Sequence, residues 1–342
     1  MAEIRALRLG RFSRAIVWRP WWRVLMAWVV VGVALAGCLS LGKIPLTPRE
    51  LLAALSAPLS DTGLIVWQLR LPRTLLAALV GGALALSGWL LQQVMRNPLA
   101  SPDTLGVTSG ASAAAVAYFS LLAADLGHAW LPLAAAGGAL MAVGIVYWLA
   151  WQQGVTPLRL VLMGIGLSAL LTAATTFLLV SSPFSTTLSA YVWLTGSVYG
   201  GNWSEVERLS IGLALALVAM APLVRYALLA AVDDALAVGI GVRVQRMRGA
   251  LTLLAAVLAG LAVAWGGAIA FVGLMAPHLA RRLVPVPGAA QIVMTIAAGA
   301  TVVMLADLVG RTLFLPLDLP AGIFVAAIGA PFFLMLLIRQ VR

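Results

Sequence analysis

The sequence predicts an all-α, polytopic membrane protein with about ten transmembrane helices and cytoplasmic N- and C-termini. Three observations carry that prediction. Of 342 residues, 63% are hydrophobic and only 10% are charged. No water-soluble domain buries that much apolar surface, so lipid must be the solvent for most of it. The apolar residues also fall into runs of roughly 20, the length at which a helix rising ~1.5 Å per residue crosses a ~30 Å hydrocarbon core. Finally, 21 of the 22 basic residues are arginine, Lys43 being the exception, and they gather at the ends of those runs. A net charge of +11 on a soluble chain would point to nucleic acid; at span ends it points to membrane orientation instead.

The runs justify themselves in order. Arg5, Arg8, Arg11, Arg14 and Arg19 precede an apolar run ending Leu35-Ala36-Gly37-Cys38. A basic start with small residues before a cysteine has the form of a lipoprotein signal. Many more spans follow, however, and none needs a lipid anchor. Residues 1–21 are therefore read as a basic cytoplasmic segment, and residues 22–342 as one transmembrane domain opening with a span at Trp22–Leu41. With Cys38 the single cysteine, no internal disulfide and no thiol metal cluster can form.

The second span, Val66–Val94, starts at Arg70-Leu71-Pro72-Arg73. Inside it Gly81, Gly82, Ala85, Ser87 and Gly88 keep one face nearly flat, which lets helices approach where lipid gives no hydrophobic drive for packing. A proline-broken polar turn, Arg96-Asn97-Pro98-Leu99-Ala100-Ser101-Pro102, closes it. Spans at Leu105–Ala124, Trp130–Trp151 and Leu158–Ser181 follow, then a short outer helix around 191–197. The second half gives Val206–Leu229, Met247–Ala270, a short Phe271–Leu283, Ala290–Leu308 and Ile323–Ile338; Gly266-Gly267 and Pro277 interrupt the seventh and eighth. Ten spans place 16 basic residues on the inner side and 6 on the outer, the bias that the positive-inside rule requires. An odd count would put the termini on opposite sides and break it.

Little in the chain could carry covalent chemistry. A nucleotide-binding P-loop needs a lysine followed by Ser or Thr, and Lys43 is followed by Ile44-Pro45. His128 and His278 lie far apart with no grouping of ligands around either, so no metal site is expected; His278, after Pro277, reads as an interfacial cap. Ion-coupled carriers keep ionisable groups deep in the membrane. Asp307 is the one acidic candidate here, and its i,i+4 spacing to Arg311 reads as a helix-end pair. With neither an ATP site nor an ion-coupling site, the energy source is expected on another chain.

The order Arg70-Leu71-Pro72-Arg73, Gly/Ala-rich span, Asn97-Pro98-Leu99-Ala100-Ser101-Pro102, Leu105-Gly106 resembles the signature of permease subunits of bacterial ABC importers for iron-siderophores, haem and vitamin B12. That pattern is Arg-x-Pro-Arg, a Gly/Ala-rich span, Asn-Pro-Leu-Ala-x-Pro and Leu-Gly. The likeness runs from about Trp67 to the C-terminus. It implies a permease in the bacterial inner membrane, not an enzyme, working as a homodimer or a heterodimer with a close paralogue. It also implies two ATPase subunits, a periplasmic or extracellular substrate-binding protein, surrounding lipid and no nucleic acid. No cofactor is expected on this chain, ATP and Mg belonging to the ATPase.

The resemblance also assigns residues. A coupling loop at about 230–243 would dock on the ATPase, with Asp234, Ala237, Gly239 and Gly241 in the matching segment; Asp233 and Ile240 depart from the family's Gly and Leu. Arg70, Arg73 and Arg311 match arginines that receive glutamates of the binding protein, the other reading being lipid-headgroup anchoring. Asn97, Leu99 and Pro157 fall at the cytoplasmic gate, where a plain helix turn is the alternative. The implied cargo is an iron chelate, a siderophore or ferric citrate, with haem or vitamin B12 as variants. The rival from another class is an ion-coupled secondary transporter acting without an ATPase. A membrane-embedded enzyme comes last, for want of a convergent nucleophile, base or metal set.

Overall fold

A computed structural model of the chain describes residues 4–9, 12–17, 19–229 and 234–341. Strands β1 (Ile4–Leu9) and β2 (Phe12–Val17) pair antiparallel within the segment expected only to be basic. The main helices follow: α1 (Arg19–Ser40), α2 (Pro48–Ser56), α3 (Leu71–Met95), α4 (Val107–Leu121), α5 (Leu131–Leu149), α6 (Pro157–Ser181) and α7 (Phe184–Leu194). After them come α8 (Trp203–Leu229), α9 (Asp234–Gly239), α10 (Val244–Gly266), α11 (Val272–Leu283), α12 (Ala289–Thr312) and α13 (Ala321–Val341).

Ten of these correspond to the ten expected spans, each within a few residues. Eight helices are long and apolar enough to cross a membrane; α4 and α11 are shorter, at 15 and 12 residues. Helix α2 is an addition. Thr47 and Glu50 form a reciprocal capping box at its start and Pro48 supplies a preset first turn. The outer helix anticipated around 191–197 is the end of the longer α7.

Helix α3 is the axis. It continues a helical stretch from Asp61, and 83% of its most apolar 18-residue stretch is buried, against 22% for α1, α6 and α8. It packs on α12, α10, α11 and α8. Glycine makes two of those crossings possible. A Cβ on Gly81 would lie 2.2 Å from the Gly299 carbonyl oxygen, and one on Gly88 1.8 Å from that of Gly273. Two polar groups of α3 pair across helices: Ser87 Oγ donates to the Ala255 carbonyl at 2.6 Å, and Trp89 Nε1 to Gln291 Oε1 at 2.9 Å. Gln291 Nε2 in turn donates to the Val284 carbonyl at 2.9 Å.

The backbone leaves the helical path at two places that meet. Arg96, at φ 48°, ends α3, and a single tight turn at Pro102–Leu105 leads into α4. From the other side, the chain between α10 and α11 is non-helical, and Phe271 adopts φ 66°. The Asp103 carboxylate accepts hydrogen bonds from the Phe271 N–H and from the Thr108 hydroxyl, joining the two breaks. Irregular backbone between apolar helices is tolerated where protein groups, not lipid, surround it. Pro277 lies inside α11 and gives no N–H to Gly273, whose carbonyl is approached instead by Gln92 Nε2 at 3.4 Å. The expectation that His278 caps a helix end is corrected here. The helix runs on through Pro277 to Leu283, and the His278 ring sits edge-on to Phe332, centroids 5.5 Å apart.

Helix ends sort onto two faces. The end of α1, the start of α3 and the end of α12 meet at one; the end of α3, α9 and the start of α10 meet at the other. We call the second, arginine-rich face inner and the first outer.

Candidate functional site

At the outer face the three expected docking arginines lie together, but each is engaged inside the chain. Arg70, 6% exposed, reaches back over the end of α1, donating to the carbonyls of Leu39 at 2.7 Å and Ser40 at 3.0 Å, and to that of Ile44. Arg73 forms a double fork. It donates to Asp307 Oδ1 from Nη2 at 2.7 Å and to Asp318 from Nη1 and Nη2 at 2.7 and 2.8 Å, while its guanidinium lies 5.4 Å from the Tyr199 ring centre. Arg311 donates to the Cys38 carbonyl and stands 3.6 Å from Asp307 Oδ2. The expected i,i+4 pair therefore exists, with a stronger partner, Arg73, from a helix 234 residues away. Spacing along one helix could not reveal it. Asp318, on the loop before α13, was missed for the same reason. Lys43, Arg49 and Arg208 are the basic side chains left exposed among the described residues at this face.

The three residues expected at a gate lie at two short turns on the inner face. Asn97 Oδ1 accepts the Leu99 N–H at 2.9 Å, tightening the turn that follows α3. Leu99 packs with Phe271, Phe332 and Phe333 against a small buried cluster of Leu274, Met275 and Leu336. The second turn precedes α6, where Pro157 occupies the first helical position. Two residues earlier Val155 is held at both ends of its peptide: its N–H donates to Gln245 Oε1 at 2.9 Å, and its carbonyl accepts from Gln245 Nε2 at 3.4 Å and from Arg248 Nη1. Gly154 lies against the same glutamine at φ 134°, a conformation that glycine adopts without strain.

Helix α9 carries the expected coupling residues; residues 230–233, Asp233 among them, lie outside the described ones. Asp234 begins it. Gly241, at φ 83°, closes it, its N–H donating to the Val238 carbonyl at 2.9 Å and the Val242 N–H to that of Ala237 at 3.0 Å. Ala237 is buried at 1% exposure and turns toward the bundle, while Leu236, Val238 and Ile240 are more than 60% exposed. Nothing lies within 4 Å of where a Cβ on Gly239 or Gly241 would sit. The Asp234 carboxylate lies between Arg96, in direct contact, and Arg248 Nη2 at 3.1 Å. Burial alone would raise this carboxyl, but the hydrogen bonds and charges of Arg248 and Arg96 outweigh it and hold it below the ordinary carboxylate value. Arg248 and Gln245 are functional candidates that the sequence reading missed.

With this geometry in place, the likenesses to known proteins are specific. The model of the FecCD transport family matches residues 29–339. The achromobactin transport system permease protein CbrC of Dickeya dadantii is 60% identical over 99% of this chain and 98% of its own length. The ferric enterobactin permease FepG of Escherichia coli is 38% identical over 88% of this chain and 91% of its own, and the Fe(3+) dicitrate permease FecD of the same organism 38% over 91% and 98%. Among solved structures, one described as an inward-facing ABC transporter assigned to the metal-chelate type aligns with TM-score 0.81 and 28% identity over 93% of this chain and 99% of its own.

Proposed function

The chain belongs to the FecCD transport family and is a multi-pass membrane permease subunit of an ABC importer, and from that premise we propose that its cargo is an iron chelate of the siderophore or ferric citrate type. The observation that carries the cargo is the 60% identity, over nearly the full length of both chains, to a permease named for a siderophore. Two copies, or one copy and a close paralogue, enclose the pathway in the cytoplasmic membrane. The poorly buried faces of α6 and α13, 22% and 28% buried over their apolar stretches, have room for such a partner. Two ATPase subunits dock on α9, whose Leu236, Val238 and Ile240 offer an uncovered apolar face beside Gly239 and Gly241. ATP and Mg are held by those subunits. Leu99, the turn capped by Asn97 and the turn before Pro157 form the inner gate.

On the outer side a substrate-binding protein sits over Arg70, Arg73 and Arg311. Their guanidinium groups already hold carbonyls and carboxylates of this chain, so an incoming carboxylate competes at the rim of that network, where the Asp318 side chain is 30% exposed.

Proteoliposomes loaded with ATP, bearing this permease with its ATPase and supplied with binding protein and ferric siderophore, test the proposal. ATP-dependent uptake of the iron chelate supports it. Uptake that ignores ATP and follows a proton gradient refutes it, and so does ATP-dependent uptake confined to haem or vitamin B12.

A further inference from the structure

We infer that Arg96 and Arg248 are positioning residues of the transport cycle, a relay through Asp234 that carries the position of α9 to both turns of the inner gate. The inference rests on the proposal that α9 receives the ATPase. Asp234 is the first residue of α9 and moves with it. Its carboxylate grips two guanidinium groups from two other elements. Arg96 is the residue at which α3 leaves the helical path, immediately before the Asn97–Leu99 turn, so a pull on its side chain acts where the backbone has already turned at φ 48°. Arg248, from the first turns of α10, holds Asp234 with Nη2 and the Val155 carbonyl with Nη1. Val155 lies two residues before the first turn of α6, and Gln245 fixes the same peptide from one turn earlier on α10. One carboxylate thus links α9 to the end of α3, 138 residues away in sequence, and through Arg248 to the start of α6.

The chemistry suits a joint that both transmits and yields. Arg248 is 4% exposed over its side chain, so it needs its acceptors wherever α9 moves, whereas Asp234 is 44% exposed and can exchange a guanidinium for water. Arginine is required at position 248 because its fork reaches two acceptors at once; a lysine offers one compact charge on a flexible stem. The carboxylate also keeps two cations close together, so removing it separates Arg96 from Arg248 as well as freeing α9.

The test uses the full permease with its ATPase in proteoliposomes, in a Cys38→Ser background with Leu158→Cys as a single reporter on the exposed start of α6. Labelling of that cysteine by a thiol reagent is followed with and without ATP, beside uptake, ATP hydrolysis and ATPase co-purification. Arg96→Gln and Arg248→Lys should leave the ATPase bound and hydrolysing, lower uptake roughly tenfold, and abolish the ATP-dependent change in labelling. Because the Arg248 site is buried and its variant could misfold, the half-exposed Arg96 carries the test by itself. Wild-type uptake and labelling response in Arg96→Gln overturn the relay while leaving the docking proposal standing. If Leu236→Asp and Ile240→Asp leave ATPase binding and uptake intact, the docking proposal falls and the relay falls with it.

Discussion

Both ends of the molecule place one aspartate between two arginines, and the two clusters behave as opposites. At the outer end Asp307 is 2% exposed and its partners Arg73 and Arg311 are 10% and 9% exposed. At the inner end Asp234 is 44% exposed and Arg96 29%, and only Arg248, at 4%, is buried. Burial decides what the same three groups can do. A buried charge must keep its partners, because nothing replaces them. A half-solvated charge can release a partner to water at small free-energy cost. The outer cluster therefore fastens α1, α3, α12 and the 313–320 loop, while the inner one is suited to a contact that re-forms in each cycle.

The strongest way to break this contrast is Arg73→Ala. It leaves Asp307 buried beside Asp318 with only the longer 3.6 Å contact to Arg311, and should destabilise the fold by about 3 kcal/mol, read as a large drop in thermal stability of the detergent-purified protein. An unchanged melting temperature would remove the distinction between the ends. Next in size is Gly88→Val. Its Cβ would fall 1.8 Å from the Gly273 carbonyl oxygen, and forcing α3 from α11 should cost about 1–3 kcal/mol, seen as loss of monodisperse protein.

Asp307→Asn sharpens the comparison at similar amplitude. Arg73 retains Asp318, so a loss of about 1–3 kcal/mol is expected, and transport should fall only as far as the folded fraction does. An ion-coupled carrier predicts instead a folded but inactive protein. Asp234→Ala should change stability least, by ~1 kcal/mol or less after solvent screening, while uptake falls. The pH dependence follows the same sign. Because the folded-state carboxyl of Asp234 titrates below its unfolded value, its contribution is present above that unfolded value and is lost as pH falls through the lowered one. ATPase co-purification should therefore be unchanged across roughly pH 5 to 8, where the carboxylate stays ionised.

The sequence made the spans legible because hydropathy and arginine bias are properties of whole segments. It marked the interruption near Gly266-Gly267 but not the depth of α11, which follows from Gly273 meeting Gly88 and Pro102. Helix α2 escaped notice because nine residues give too little periodicity to stand out. The site was legible to the level of which residues gather and not of what they touch. Arg70, Arg73 and Arg311 do share one end, yet an arginine at a span end reads alike whether its guanidinium meets water or a buried carboxylate. Asp234 was singled out for its place at the start of α9. Arg96 and Arg248 are its partners only because α3 ends and α10 begins on the same face.

The most direct test of the contrast between the ends is hydrogen exchange of the reconstituted complex with and without a non-hydrolysable ATP analogue. Altered protection is expected at amides 96–106, 154–160 and 234–242, with those of 70–74 and 307–312 unchanged. Nucleotide-dependent exchange at the outer segments, with the inner ones silent, would contradict it.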